Sequence, residues 1–429
     1  MKKVGVAILG LGVVGGGTYK ILTEKKEYFK DTQDLDVCVE AVLDINKQRA
    51  LDLGVPENAI CGNIQEVVSN PNVDIVCECV GGVEPARTFL LTALMNGKTV
   101  VTSNKELFCK HWHELEKEAK KMHAGLYFEA SCVGGVPVIR TLIDSMQANK
   151  ITELMGIING TTNYILTRME EGGLDFGSAL KEAQMKGYAE ANPTADVEGF
   201  DAAYKLSILS SLAFHTKVPL ENVYREGISN ISKMDIDFGK EMGYKLKLLG
   251  IGKNTDKGIE VRVHPTFIPE DHPLSSVSDS FNAVHIVGDS VGDIMLYGRG
   301  AGALPTGSAI VSDVIFAAKH TENNYSTFKN EKTADPSVKF ISDFSSSYYI
   351  RFSVQDKAGV LSKIAGIFAK YNVSIKDVVQ KAEDGEQVPM IFVTHKTNEF
   401  SVRKALEKVD QMGDLAKTAA LIRVENTGV

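Results

Sequence analysis

What the 429-residue chain lacks narrows its class first. No apolar run reaches 18 residues, so no segment is long enough to cross a bilayer as a helix. There is no basic tract and the net charge is −8, which argues against nucleic acid or an anionic membrane as partner. The six cysteines (Cys38, Cys61, Cys77, Cys79, Cys109, Cys132) form no C-x-x-C pair and no zinc spacing. Reduced thiols in a cytoplasmic protein are the expectation. The N-terminal MKKVGVAILGLGVVGGG imitates a signal peptide, yet it has no A-x-A cleavage site. What is there is ordinary for a soluble globular protein: 44% hydrophobic and 24% charged residues, with length for two or three domains.

The glycines of that N-terminus are spaced for a nucleotide. Residues 3–9 read as a short buried strand, Gly10-Leu11-Gly12-Val13-Val14-Gly15 follows at once, and a helix is predicted from Val14 to Lys26. In such a turn one glycine permits the bend, the next admits a pyrophosphate and the third lets helix and strand pack. The helix N-terminus attracts the phosphates. Strands and helices then alternate, the pattern of a parallel sheet. Strands are expected at Val37–Leu43 ending in Asp44, at Val73–Val80 ending in Gly81, and at Lys98–Thr102 ending before Lys105, with a helix over Leu107–Met122. Ligands in such sheets sit beyond the carboxyl ends of strands, so Asp44, Gly81 and Lys105 face a cofactor cleft. Asp44 suits a ribose hydroxyl and leans to NAD, whereas Lys47 and Arg49 could pair with a 2′-phosphate. The choice stays open as NAD(P). Lys105 alone would read as a solvated strand-end lysine; its place beside the cleft argues for a role.

The densest chemistry lies in GYAEANPTADVEGFDAAYKLSIL, residues 187–209. Asp201 and Lys205 stand four apart on one face of a predicted helix. No formal charge follows until His215, so the helix is expected to be buried nearly all round and to carry the pair inside. Burying ions costs several kcal/mol each unless they are paired, and a buried pair is weak evidence for stability. A structural ion pair is the plain reading. Glu190, Asp196 and Glu198, in the turn-rich loop ahead of it, favour a pocket for a cationic group such as an amine. Between these regions come a glycine-rich loop with Pro137 opening a helix, a strand over ITELMGIING, and a helix opened by Gly160. Later VGDIMLYGRGAGALPTGSAIVSDVIFAAK gives a strand, a glycine turn and a helix.

The motifs GLGVVG, TSNKE around Lys105, FEASCVGGVPVI, GIINGTTNYILTRM, GYAEANPTADVEGFDAAYKLSIL and GRGAGALPTGSAIVSDV, in this order over residues 1–320, resemble homoserine dehydrogenase. No kinase-like segment precedes the first strand, so the monofunctional type is expected. The resemblance implies reversible, NAD(P)-dependent interconversion of L-aspartate 4-semialdehyde and L-homoserine. It implies Lys205 as proton donor or base, assisted by Lys105, with Glu190 and Asp201 holding the amino acid and Asp196 supporting them. Gly187 and Gly302 would touch the cofactor. A sodium-like monovalent cation is implied at the Glu129 carboxylate and the main-chain oxygens of Cys132, Gly134 and Val136, a donor set suited to a hard ion. A desolvated lysine near a second cation should have a lowered pKa, which suits general acid work. The family often has an arginine before the acid ending the second strand; here it is Leu43, which weakens the case for strict NADP use. Two other readings are weighed: an aldehyde dehydrogenase using Cys132, for which the loop offers no histidine, and a non-catalytic amino-acid sensor, which would be expected to lose Lys105 or Lys205.

The expected architecture is therefore α/β. Residues 1–135 form a Rossmann-type NAD(P) domain, with the helix over 304–320 packing back on it, and residues 136–320 an α+β catalytic and dimerisation domain. Residues 321–347 read as a polar linker. From 348 to 429 a βαββαβ ferredoxin-like unit is predicted, and Asp356-Lys357-Ala358-Gly359-Val360-Leu361 resembles the ACT regulatory domain, with Ala358 where a proline is usual. Such domains bind amino acids between two copies, which implies an L-threonine effector and a homodimer or homotetramer. A dimerisation module without ligand is the alternative.

Overall fold

The computed structural model describes residues 1–320, 325, 328, 338–380 and 386–425. Most of the predicted linker, over 321–347, falls outside the described residues.

The first sheet holds β1 (Lys2–Leu9), β2 (Leu35–Leu43), β3 (Ile75–Glu78), β4 (Thr99–Thr102) and β5 (Leu126–Tyr127) in the order β2-β1-β3-β4-β5. Every pairing is parallel. Val4 to Leu9 are buried without alternation, as expected of a strand covered on both faces. The order reverses beside β1, which opens a crevice at the carboxyl ends of β1 and β3. β3 stops short of the predicted Val80 because the amides of Val80 and Gly81 turn back onto the Glu78 carboxylate. The helix over Val13–Glu24 follows β1, and the helix over Ala303–Lys319 crosses it where neither carries bulk. A Cβ on Gly17 would lie 2.1 Å from the Ala303 oxygen, and one on Gly307 would lie 2.9 Å from Gly17.

The second sheet contains β6 (Ile151–Ile157), β7 (Tyr224–Arg225), β8 (Tyr244–Thr255), β9 (Gly258–Pro269), β10 (Phe281–Gly288), β11 (Gly292–Arg299), β12 (Ser345–Gln355), β13 (Ile375–Gln380), β14 (Gln387–Thr394), β15 (Thr397–Asn398) and β16 (Ala416–Val424). Its main path runs β11-β10-β6-β8-β9-β16-β12-β14-β13. The last four of these, with helices Val360–Lys370 and Glu399–Asp410, make the βαββαβ unit. In β12 the period of two is explicit. Tyr348, Ile350, Phe352 and Val354 pack under the two helices, while Tyr349 and Arg351 face the other way and bond Asp235. The sequence places this unit in a domain of its own beyond a linker, but its strands continue the sheet of β6 and β8–β11, because Arg423 and Val424 of β16 pair in parallel with Thr266 and Phe267 of β9.

In the helix over Phe200–Phe214 every residue from Asp201 to Phe214 except Tyr204 is buried. The helix predicted after Pro137 is broken: one α-turn, Val138–Arg140, runs into a wider π-turn over Thr141–Ser145. No described helix is long and apolar enough to cross a membrane.

Candidate active site

The nucleotide side is built from backbone. Gly10 has φ +82°, and a Cβ on Gly15 would sit 1.8 Å from the Gly10 oxygen, so only glycine closes this turn. Above Gly12 there is open space, and no side chain caps the helix it starts, so its first amides are free for phosphate oxygens. Leu11, Val13 and Val14 complete the loop, and Val13 is exposed. Asp44 Oδ2 accepts the Leu11 N–H at 2.5 Å and Oδ1 accepts the Asn46 N–H at 2.7 Å, fixing the end of β2 to the loop. Arg49 lies 3.8 Å from the same carboxylate. Gly81 and Gly82, both at positive φ, end β3 with nothing crowding them. Gly302, at φ +121°, starts the helix that crosses Gly17. Such a cradle, narrow, amide-lined and open above the helix start, fits a dinucleotide. Gly187 (φ +76°) follows the helix over Phe176–Met185, its amide donating to the Gln184 oxygen.

Beyond the cradle lies the charge cluster. Lys205 Nζ donates to Asp201 Oδ2 at 2.7 Å and to the Ile158 main-chain oxygen at 2.8 Å. Lys105 Nζ lies 3.2 Å from the other oxygen, Asp201 Oδ1. One buried carboxylate thus bridges the two lysines, one from each domain. Asn159 Nδ2 donates to Asp201 Oδ2 (2.8 Å) and to Asp196 Oδ1 (2.7 Å), tying the loop acid to the helix acid. Burial by itself would push Asp201 up, but Lys205 and Lys105 hold it well below the usual carboxylate range. Asp196 moves the other way, raised by burial and by the charge of Asp201. Lys105 is also raised: the Asp201 charge outweighs the desolvation that would lower it. The expected lowering through a second cation does not occur there, because an anion lies between the two lysines.

Of the expected site residues, Lys105, Asp196, Asp201 and Lys205 converge. Glu190 is exposed, and Gln184 holds its main-chain oxygen at 3.0 Å rather than its carboxylate. Asn159 was legible only as part of GIINGTTNY. The residue caps the next helix through Oδ1, and only the fold shows its amide reaching two carboxylates.

Cys132 is fully buried, and burial pushes its thiol up to about 12, so no thiolate is available for attack. That removes the thiol-dependent reading. The Glu129 carboxylate, expected to face a cation, accepts the Ile139 and Arg140 amides at 2.9 and 2.7 Å, anchoring the broken helix. Burial, with Asp313 beside it, raises Glu129 to about 7. The Val136 oxygen accepts the Val138 N–H at 2.8 Å, whereas Val133 (φ +56°) and Gly134 (φ +49°) turn the loop sharply. Among the described residues no group of three or more His, Cys, Asp or Glu is arranged to hold a metal.

Known proteins place this geometry. The description "Homoserine dehydrogenase" matches residues 137–315, "Homoserine dehydrogenase, NAD binding domain" residues 10–129, and "ACT domain" residues 348–414. The chain is 40% identical to a homoserine dehydrogenase of Bacillus subtilis, with 100% of both chains covered. It is 39% identical to one of Neisseria gonorrhoeae, with 99% of each covered. The crystal structure of a homoserine dehydrogenase from Thiobacillus denitrificans superposes with a TM-score of 0.93 at 39% identity, over 100% of this chain and 99% of that one. With residues 10–129, 137–315 and 348–414 all matched, the chain belongs to the homoserine dehydrogenase family.

Proposed function

We propose that the Asp201–Lys205–Lys105 cluster carries out the family reaction, the reversible nicotinamide-dependent interconversion of L-aspartate 4-semialdehyde and L-homoserine. What supports this reading is a single buried carboxylate that holds two lysines, one on each oxygen, at the mouth of the nucleotide crevice. The nicotinamide, when bound, supplies or accepts the hydride. Lys205 donates a proton to the aldehyde oxygen in reduction and takes it from the hydroxyl in oxidation. Lys105, kept cationic by Asp201, stabilises charge on that oxygen. Asp201 and Glu190 grip the substrate ammonium, with Asp196 behind them. The cofactor is held by the Gly10–Gly15 loop, Asp44, Gly81, Lys105, Gly187 and Gly302.

The test is initial rates of L-homoserine oxidation with NAD⁺ and NADP⁺ in parallel, with and without L-threonine. Reduction of either cofactor supports the reading, and silence with both removes it. The ratio decides the nucleotide preference. A threonine effect supports an effector site on the ACT domain between two copies, in a homodimer or homotetramer whose mass sedimentation would give. A sodium-like ion at the main-chain oxygens of Cys132, Gly134 and Val136 would serve as scaffold, with the Glu129 carboxylate turned to the helix; rates that differ between sodium and a bulky organic cation would support it. The domain limits 1–135, 136–320 and 348–429, and a cytoplasmic location, belong to the same reading.

A further inference from the structure

A second buried carboxylate lies at the carboxyl end of β3, and the chemistry above does not use it. Glu78 is 0% exposed and pairs with no lysine, arginine or histidine among the described residues. Burial pushes its carboxyl above the usual range. An ionised group in this position costs several kcal/mol unless hydrogen bonds repay it. Three converge on it. Glu78 Oε1 accepts the Val80 and Gly81 amides at 2.8 and 3.1 Å, and Oε2 accepts the Thr102 hydroxyl at 2.6 Å. Thr102 Oγ1 in turn accepts the Asn104 N–H at 3.0 Å. Asn104 Nδ2 donates to the Gly82 oxygen at 2.6 Å, returning to the loop that Glu78 holds. Its Oδ1 accepts the Leu107 N–H at 3.1 Å, capping the helix over Lys105–Met122, whose first residue is Lys105.

The bonds close a ring: Glu78, the glycine loop, Asn104, Thr102 and back to Glu78. On one side the ring fixes Gly81 and Gly82, both at positive φ. On the other it fixes the helix start that carries Lys105. We propose that Glu78, Thr102 and Asn104 are positioning residues, a brace that sets where the Lys105 ammonium stands relative to the glycine loop of the nucleotide crevice. The inference rests on the reading of Lys105 as a working member of the site. A brace matters there because Lys105 is tied to Asp201 by one ion pair only, and its side chain is 41% exposed. A displacement of about 1 Å in such a group is enough to cost on the order of 100-fold in rate.

The test uses Thr102→Val, which cuts the ring at its hydroxyl link with little change of shape, and Thr102→Ser, which keeps the hydroxyl. Glu78→Gln serves as a second break. Each is measured as the full-length enzyme, alone and combined with Lys105→Ala, for kcat and KM of homoserine oxidation and for reduced-cofactor affinity by fluorescence. Thr102→Val and Glu78→Gln are expected to lower kcat about 10- to 100-fold with cofactor affinity within about threefold, and Thr102→Ser to restore most of the rate. In the Lys105→Ala background the same changes are expected to add little, the non-additivity of groups that act through one another. Full additivity there, a loss confined to cofactor affinity, or Thr102→Ser as slow as Thr102→Val would each overturn the brace. If Lys105→Ala itself turns over normally, the fault lies with the role given to Lys105, a result the brace variants do not mimic. Should Thr102→Val not fold, the Glu78→Gln cycle decides alone.

Discussion

Two buried clusters of charge can be set side by side in this chain. One is the Asp201 cluster; the other joins the ACT unit to the catalytic sheet. At the junction Arg423, 0% exposed, takes carboxylates from both Glu226 and Glu399 and the hydroxyl of Tyr224 at 2.9 Å. Arg403 adds a second cation to both acids. Nearby, Arg262 and Lys253 hold Glu425 at 2.7 and 3.0 Å. Each charged member there meets its opposite: Arg423 is raised, while Glu226 and Glu399 are lowered by it. The Asp201 cluster does not close in this way. Its two acids are pushed apart, Asp201 down and Asp196 up, and Lys105 points half into solvent. Two carboxylates whose surroundings push their pKa values apart fit the acid–base role proposed above, whereas cations and acids that saturate one another fit assembly. A buried ion pair as such distinguishes nothing; the direction of its imbalance does.

The comparison breaks most sharply at Lys205. Lys205→Ala is expected to lower kcat for homoserine oxidation by about 1,000-fold, the range of a lost general acid–base group, with the thermal midpoint little changed because Lys105 still partners Asp201. Normal turnover in that variant would merge the two clusters into one class. Arg423→Met should do the reverse. It leaves two buried acids with only Arg403 between them and is expected to cost about 3 kcal/mol of stability in denaturant titration, with kcat at 25 °C within a few-fold. A stable but inactive Arg423→Met would make the junction part of the catalytic machinery.

Asp201→Asn sharpens the comparison from the other side. The amide keeps the shape and removes the charge, so KM for homoserine is expected to rise about 10- to 100-fold, as for a lost charge-assisted contact of about 1.5 to 3 kcal/mol. Because Asp201 is the main cause of the raised Lys105 pKa, its loss also lowers that value. The alkaline limb of the kcat/KM profile should therefore move to lower pH. A limb that stays where it was would mean Lys105 does not contribute to it.

How much of this was legible follows the range of the interactions. The Gly10–Gly15 loop, the Asp201–Lys205 face and the βαββαβ unit are local patterns, and each stands where its spacing put it. Asn159, Glu78 and Thr102 escaped notice because their partners lie 42, 24 and 24 residues away across strand ends. Neither could periodicity show that β16 would pair with β9, since the contact involves two residues on each strand. The raised pKa of Lys105 is not legible in the sequence for a similar reason: spacing along the chain does not show a carboxylate placed between the two lysines.

The smallest effect concerns pH, and it isolates the junction. Arg262 and Lys253 outweigh burial and hold Glu425 down at about 2. A carboxylate depressed on folding adds stability above its unfolded value of about 4.3, and that contribution fades as pH falls toward its folded value. Between pH 5 and pH 3 the wild-type chain should lose about 2 kcal/mol through this one group. Glu425→Gln is expected to start less stable at pH 7 and to lose correspondingly less over the same interval, with homoserine kinetics at neutral pH unaltered. Denaturant titrations of both chains at pH 3, 5 and 7 measure the difference directly. Parallel curves would mean that the Arg262–Glu425 pair adds nothing net, and the junction would then owe its rigidity to Arg423 and the β9–β16 contact alone.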